Sequence, residues 1–151
     1  MKKILVIWLA LVGLLLAGEK PVTYSEVENT LKDLQEAMKA GQEQLVTLYS
    51  ATLEVVKKAT VPSRATEIFQ RIRARSRISA ADFRQMREQF SFPDLVIAYG
   101  VSRQAGEKMK TVLAWRAEKT WTEIFQQKSL SSAVDRIAAC LSELVPAGQP
   151  Q

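Results

Sequence analysis

The stretch SEVENTLKDLQEAMKAGQEQLVTLYSATLEVVKKA, residues 25–59, decides the fold. Val27, Leu31, Leu34, Met38, Gly41, Leu45, Leu48, Thr52 and Val55 recur in it at alternating steps of four and three. That rhythm lays a mostly apolar seam along one face of a helix. Ser25 with Glu28 has the spacing of a capping box, and Glu26, Glu28 and Asp33 suit the positive end of the helix dipole. Lys57 and Lys58 suit the negative end. Lys39-Ala40-Gly41 resembles a helix stop. Because the rhythm stays in phase across Gly41, the pattern predicts one long helix, straight or kinked at that glycine. A full reversal there would instead make an antiparallel hairpin.

The segments that follow are shorter, and each has its own apolar stripe. Thr60-Val61-Pro62-Ser63 breaks the long helix. A second helix is predicted from Arg64 to Ser76 with Ala65, Ile68, Phe69 and Ile72 on one face. Ser79 with Asp82 starts a third, carried by Phe83, Met86, Arg87 and Phe90. Ser91-Phe92-Pro93-Asp94 caps a fourth, with proline in the first turn, and Gly106 ends it. A fifth runs from Glu107 to Ala117. Thr120 with Glu123 caps a sixth around Trp121, Ile124 and Phe125. Ser131 or Ser132 opens the last, with Val134, Ile137, Ala138, Leu141 and Leu144. No segment shows strand alternation. The expected fold is all-α: one long N-terminal helix, with Gly41 as its kink point, packed against several short amphipathic helices. The expected division is a signal peptide at 1–18, a linker at 19–24, a single helical domain at 25–145 and a flexible tail at 146–151.

Composition narrows the chemistry. The 151 residues contain no histidine, which excludes Ser-His-Asp and Cys-His catalysis and any histidine-ligated metal within the chain. The one cysteine, Cys140, excludes an intramolecular disulfide and a multi-cysteine metal site. There is no glycine-rich phosphate loop, and Glu26–Glu28 and Glu118–Glu123 do not read as a carboxylate pair in a cleft. No cofactor is expected, and the balance leans away from an enzyme. Met1–Gly18 reads as an export leader: Lys2 and Lys3, the apolar run Ile4–Leu16, then Ala17-Gly18 as a cleavage point. Losing the two lysines lowers the formal charge from +5 to +3, which compels no nucleic-acid partner. Export to the periplasm or beyond the cell is the expectation. An uncleaved inner-membrane anchor is the alternative, although the run is short for a span of about 20 residues.

Two sets of residues are candidate contacts. Arg64, Arg71, Arg73, Arg75 and Arg77 flank the Ile68-Phe69-Ile72 stripe and could meet an anionic membrane surface or an acidic envelope protein. No aromatic residues interleave with them as a nucleic-acid platform needs. Ordinary solvated surface is the plainer reading of the same arginines. Trp115, Trp121 and Phe125 could line a small-ligand pocket, or simply fill a helix junction. Cys140 reads as an inert thiol, with a disulfide-linked dimer as the alternative to a monomer.

Asp94-Leu95-Val96-Ile97-Ala98-Tyr99, Ala105-Gly106, Val112-Leu113 and Thr120-Trp121-Thr122-Glu123-Ile124 together resemble a pattern in uncharacterised exported bacterial all-helical proteins. In that pattern a glycine-ended helix precedes a Trp-x-x-Ile helix start. This chain has Thr122 where the pattern usually has glycine, and Glu107-Lys108 where it often has serine or proline. The resemblance implies a fold and an export habit rather than an activity. The function expected is therefore an exported, non-enzymatic helical protein that binds or scaffolds an envelope partner. A membrane-surface factor and a small-ligand carrier are the alternatives.

Overall fold

The computed structural model describes residues 20–145; the expected leader and tail lie outside them. Among the described residues the chain is all-helical. Its helices are α1 (Tyr24–Lys39), α2 (Glu43–Ala59), α3 (Pro62–Ser76), α4 (Ala80–Gln89), α5 (Phe92–Ala105), α6 (Met109–Glu118), α7 (Trp121–Gln127) and α8 (Val134–Ser142), with a 3-10 turn at Ser131–Ala133.

The long helix is two helices. Gly41 takes φ +67°, the left-handed conformation that glycine reaches without a Cβ clash. The Gly41 N–H then donates to the Met38 carbonyl at 3.2 Å and the Gln42 N–H to the Ala37 carbonyl at 3.0 Å. These are the two bonds of a Schellman stop, which satisfies carbonyls that the ended helix leaves open. The chain turns, and α2 packs back on α1. The seam also rotates at this point. On α2 it is as expected, with Leu45, Leu48, Thr52 and Val55 buried. On α1 the buried residues are Val27, Thr30 and Ala37, with Leu34 partly covered. Leu31 and Met38, two members of the expected seam, are 41% and 61% exposed. Once α1 folds back instead of continuing, the inward face is set by its packing on α2, not by the phase shared with it.

The start of α1 also differs by two residues. Thr23, not Ser25, is the N-cap, and Glu26 closes the box by accepting from the Thr23 N–H at 2.9 Å. Three later starts and one stop fall where the sequence places them, but the last helix begins at Val134 after the 3-10 turn, and neither Ser131 nor Ser132, expected to open it, caps it. Ser79, Ser91 and Thr120 accept from the amides of Asp82, Asp94 and Glu123, and Gly106 ends α5 in the left-handed region.

The architectural centre is α5 rather than the N-terminal rod. Leu95, Val96, Ile97, Ala98, Tyr99, Gly100 and Val101 are all buried, so the helix is covered on every side. It touches α1, α2, α4, α6 and α8. A Cβ on Gly100 would stand 2.8 Å from Ile137 Cγ2 and 2.9 Å from Leu141 Cδ2, so the missing side chain lets α8 come close. Phe69, Phe83 and Phe92 join α3, α4 and α5, with Phe69 centred 5.3 Å from each of the other two rings. The hydroxyls of buried Thr30 and Thr52 donate to carbonyls one turn back, at 2.7 and 2.8 Å, which satisfies them inside the core.

Candidate functional site

Four places gather polar or accessible apolar groups: the arginine helix, the neighbourhood of Trp121, a buried ion pair at the N-terminal edge, and a groove between α4 and α6.

The arginine helix is partly committed to the fold. Arg71 donates to the Glu143 carbonyl at 2.9 Å, and Arg75 reaches the same carbonyl and the Glu143 carboxylate at 3.5 Å. Arg75 also donates to the Tyr99 hydroxyl at 3.4 Å. Glu143 is the C-cap of α8, so two guanidinium groups sit at the negative end of that helix. Arg64 and Arg73 are partly covered. Arg77 is the exposed C-cap of α3 in a left-handed conformation, φ 55°, and its turn leads the chain into α4. The five arginines therefore do not present one uniform cationic face.

Trp115, Trp121 and Phe125 do not share one pocket. Trp121 is buried, and its indole N–H donates to Asp94 Oδ1 at 2.9 Å. Arg116 donates to the same oxygen at 3.2 Å and lies over the indole at 5.8 Å. Trp121 borders a cleft of about 380 Å³ with Asp33, Tyr49 and Arg116, and a smaller hollow of about 120 Å³ behind it. Phe125 borders a different surface hollow, beside Gly41 and Leu45. Trp115 lines none of these and lies under the Lys128 ammonium, 4.4 Å away. The junction reading thus describes these rings, with a polar cleft added beside Trp121. Burial, with the Glu36 and Asp94 charges next, raises the Asp33 carboxyl above its ordinary value. Burial and the facing Asp33 push the Tyr49 phenol up to about 12.

The buried ion pair joins Glu26 of α1 to Arg87 of α4. Arg87 donates through Nη1 and Nη2 to the two carboxylate oxygens at 2.7 and 2.8 Å, a bidentate fork. Its side chain is 1% exposed, that of Glu26 14%. Nε and Nη2 also donate to the carbonyls of Lys20 and Pro21, at 3.2 and 2.9 Å. Glu26 accepts a further bond from the Phe92 N–H at 2.9 Å. Lys20, Pro21 and Thr23, within the stretch 19–24 expected as a linker, are hydrogen-bonded to the body. Burial alone would raise the Glu26 carboxyl, but the bonds from Arg87, Phe92 and Thr23 outweigh it and hold the group below its ordinary value.

A pH dependence follows with a definite sign. A depressed carboxyl binds fewer protons in the folded chain than in the unfolded one. Its contribution is whole above the ordinary value of 4.5 and is lost as the pH falls through the folded value. Asp33, being raised, works the other way and favours the folded chain at the acid end. Thermal melts from pH 6 to 3 are expected to show a falling midpoint. The fall should be much shallower in a Glu26→Leu, Arg87→Met double variant, and an equal slope would contradict this assignment.

The groove between α4 and α6 encloses about 770 Å³. Ile78, Met86, Phe90, Met109, Leu113 and Ala114 give it apolar walls, and Gln85 and Gln89 add amide groups. Arg77, Lys108 and Lys110 line it as cations against one carboxylate, Asp82. Both walls pack on α5, which spaces them apart. Reading along the chain misses this groove, because its two walls are separated in sequence by the whole of α5.

Cys140 is half-buried, with the Gln104 amide donating to its sulfur at 3.2 Å. Among the described residues no group of three or more Cys, Asp or Glu is arranged to hold a metal ion, and no helix is long and apolar enough to cross a membrane. No protein-family model matches the chain, and neither does any curated protein or solved structure.

Proposed function

We propose that this chain is an exported, non-enzymatic binding protein of the bacterial cell envelope, and that it takes an apolar ligand or partner segment into the groove between α4 and α6. The observation that carries the reading is the groove itself. Its volume falls within the roughly 300–1,000 Å³ range of small-molecule sites, and its walls are apolar with polar groups interspersed. The absence of histidine removes the commonest general base and supports a binding role over catalysis. The leader pattern at Met1–Gly18 and the resemblance to exported helical proteins support the location. Docking on a membrane through the arginine helix draws less support, since Arg71 and Arg75 are turned toward Glu143.

The test is uptake of the neutral probe N-phenyl-1-naphthylamine, whose fluorescence rises in apolar surroundings. Wild-type protein should bind it saturably. Ala114→Trp, on an exposed lining position, should fill the groove and abolish the rise without lowering the melting temperature. Undiminished uptake by a folded Ala114→Trp variant would overturn the groove assignment. Mass spectrometry of protein recovered from cells should find a mature chain beginning at Gly18 or Glu19. An intact Met1 would overturn the export assignment.

A further inference from the structure

We infer that the groove between α4 and α6 is selective for a single-chain anionic amphiphile, a long-chain carboxylate, with the acyl chain on the apolar walls and the head among Arg77, Lys108 and Lys110. The inference rests on the binding role proposed above and adds the class of ligand. Charge complementarity gives the sign of the head. Three cations line the groove and only Asp82 opposes them. The first turn of α6 adds to this field. Its N-cap is Lys108, no side chain caps its amides and no acid lies in its first turn, so the positive end of the helix is left without an internal anion. In the four helices capped by Ser or Thr that end is already occupied by the cap side chain and an acid, whereas α3 shares the bare start of α6.

The walls specify a flexible chain rather than a rigid ring system. Met86 and Met109 lie on opposite sides, one from each helix, and their unbranched thioethers adjust to irregular apolar shapes. Phe90 is the one aromatic side chain in the lining, and the remaining apolar wall is aliphatic or thioether. The volume of about 770 Å³ accommodates one acyl chain. Gln85, Gln89 and Ser76 add neutral hydrogen-bonding groups to the lining that a carboxylate head could use.

The experiment titrates the full-length protein with anthroyloxy-labelled stearate and, separately, with the matching labelled stearyl alcohol. The carboxylate should bind one-to-one and more tightly than the alcohol, and rising salt should erode that preference as the head is screened. Lys108→Glu with Lys110→Glu should weaken the carboxylate about fivefold to tenfold while moving the alcohol less than about twofold. Both lysines are exposed, so the variant is expected to keep its fold, checked by its melting temperature. Ala114→Trp should abolish binding of both. Equal affinities for carboxylate and alcohol would overturn the head-group selectivity and leave the groove as a binding site. Failure of both lipids together with N-phenyl-1-naphthylamine would overturn the binding role as well. Tighter binding of an acidic amphipathic peptide that stearate does not displace would also overturn the lipid assignment.

Discussion

Glu26→Ala should lower the unfolding free energy by about 3–5 kcal/mol, the range for breaking a buried ion pair by removing one partner. Arg87 is then left with a charged guanidinium almost wholly out of water, retaining only the Lys20 and Pro21 carbonyls. The Phe92 N–H and the Thr23 N–H lose their acceptor in the same step. Urea unfolding measures this as a lower midpoint at an unchanged slope. Thr23→Ala separates the cap from the pair, since losing a cap hydroxyl costs about 1 kcal/mol. The double change Glu26→Leu, Arg87→Met should recover most of the loss, because apolar groups of similar volume need no desolvated charge to be matched. A Glu26→Ala midpoint no lower than that of Thr23→Ala would show that Arg87 finds other partners.

Phe69→Ala should cost a comparable amount, about 3–5 kcal/mol, through lost burial and the cavity left behind. Phe69 lies where α3 meets α4 and α5, and its ring contacts both Phe83 and Phe92. Aromatic pairs add about 0.5–1.5 kcal/mol beyond area, and two are lost together, a tilted one with Phe83 and an edge-on one with Phe92. Phe69→Leu keeps most of the volume and should cost less than about 1.5 kcal/mol. The gap between the two variants measures the cavity, and equal losses would assign the effect to the ring pairs instead. Because Phe83 belongs to α4, the alanine variant is also expected to widen the groove and weaken probe binding.

What the sequence displays is whatever a few neighbouring residues decide. Ser79, Ser91, Thr120 and Gly106 mark helix ends through bonds that span three or four residues, and they stand where the pattern places them. Gly41 is a local signal that a longer pattern masks. The four-three rhythm crosses it in phase, yet φ +67° turns the chain. The rhythm also names Leu31 and Met38 over Thr30 and Ala37, because hydrophobicity does not reveal a threonine whose hydroxyl is satisfied by the carbonyl of Glu26. The fully covered nature of α5 is visible in hindsight in Leu95-Val96-Ile97-Ala98-Tyr99, an apolar run without a polar side.

The sites are less legible, for a physical reason in each case. An arginine beside an apolar stripe ordinarily carries its charge to water, and nothing near Arg87 announces that its carboxylate is 61 residues away. Arg71 and Arg75 look like surface until α8 brings the Glu143 carbonyl to them. The Thr120 cap marks Trp121 as a helix start, but its partner Asp94 comes from another helix. The groove belongs to no segment; it is the space left where α4 and α6 both lean on α5.

The arginines have a consequence for how the chain endures among proteases. Arg87 holds the carbonyls of Lys20 and Pro21 at one extremity of the described fold, and Arg71 and Arg75 hold that of Glu143 at the other. Peptidases that thread a loose end into their active site need several residues of slack. Lys20, Pro21 and Glu143 are bolted to the body, so degradation past either point must wait for the domain to open. Digestion past these points is then governed by global stability.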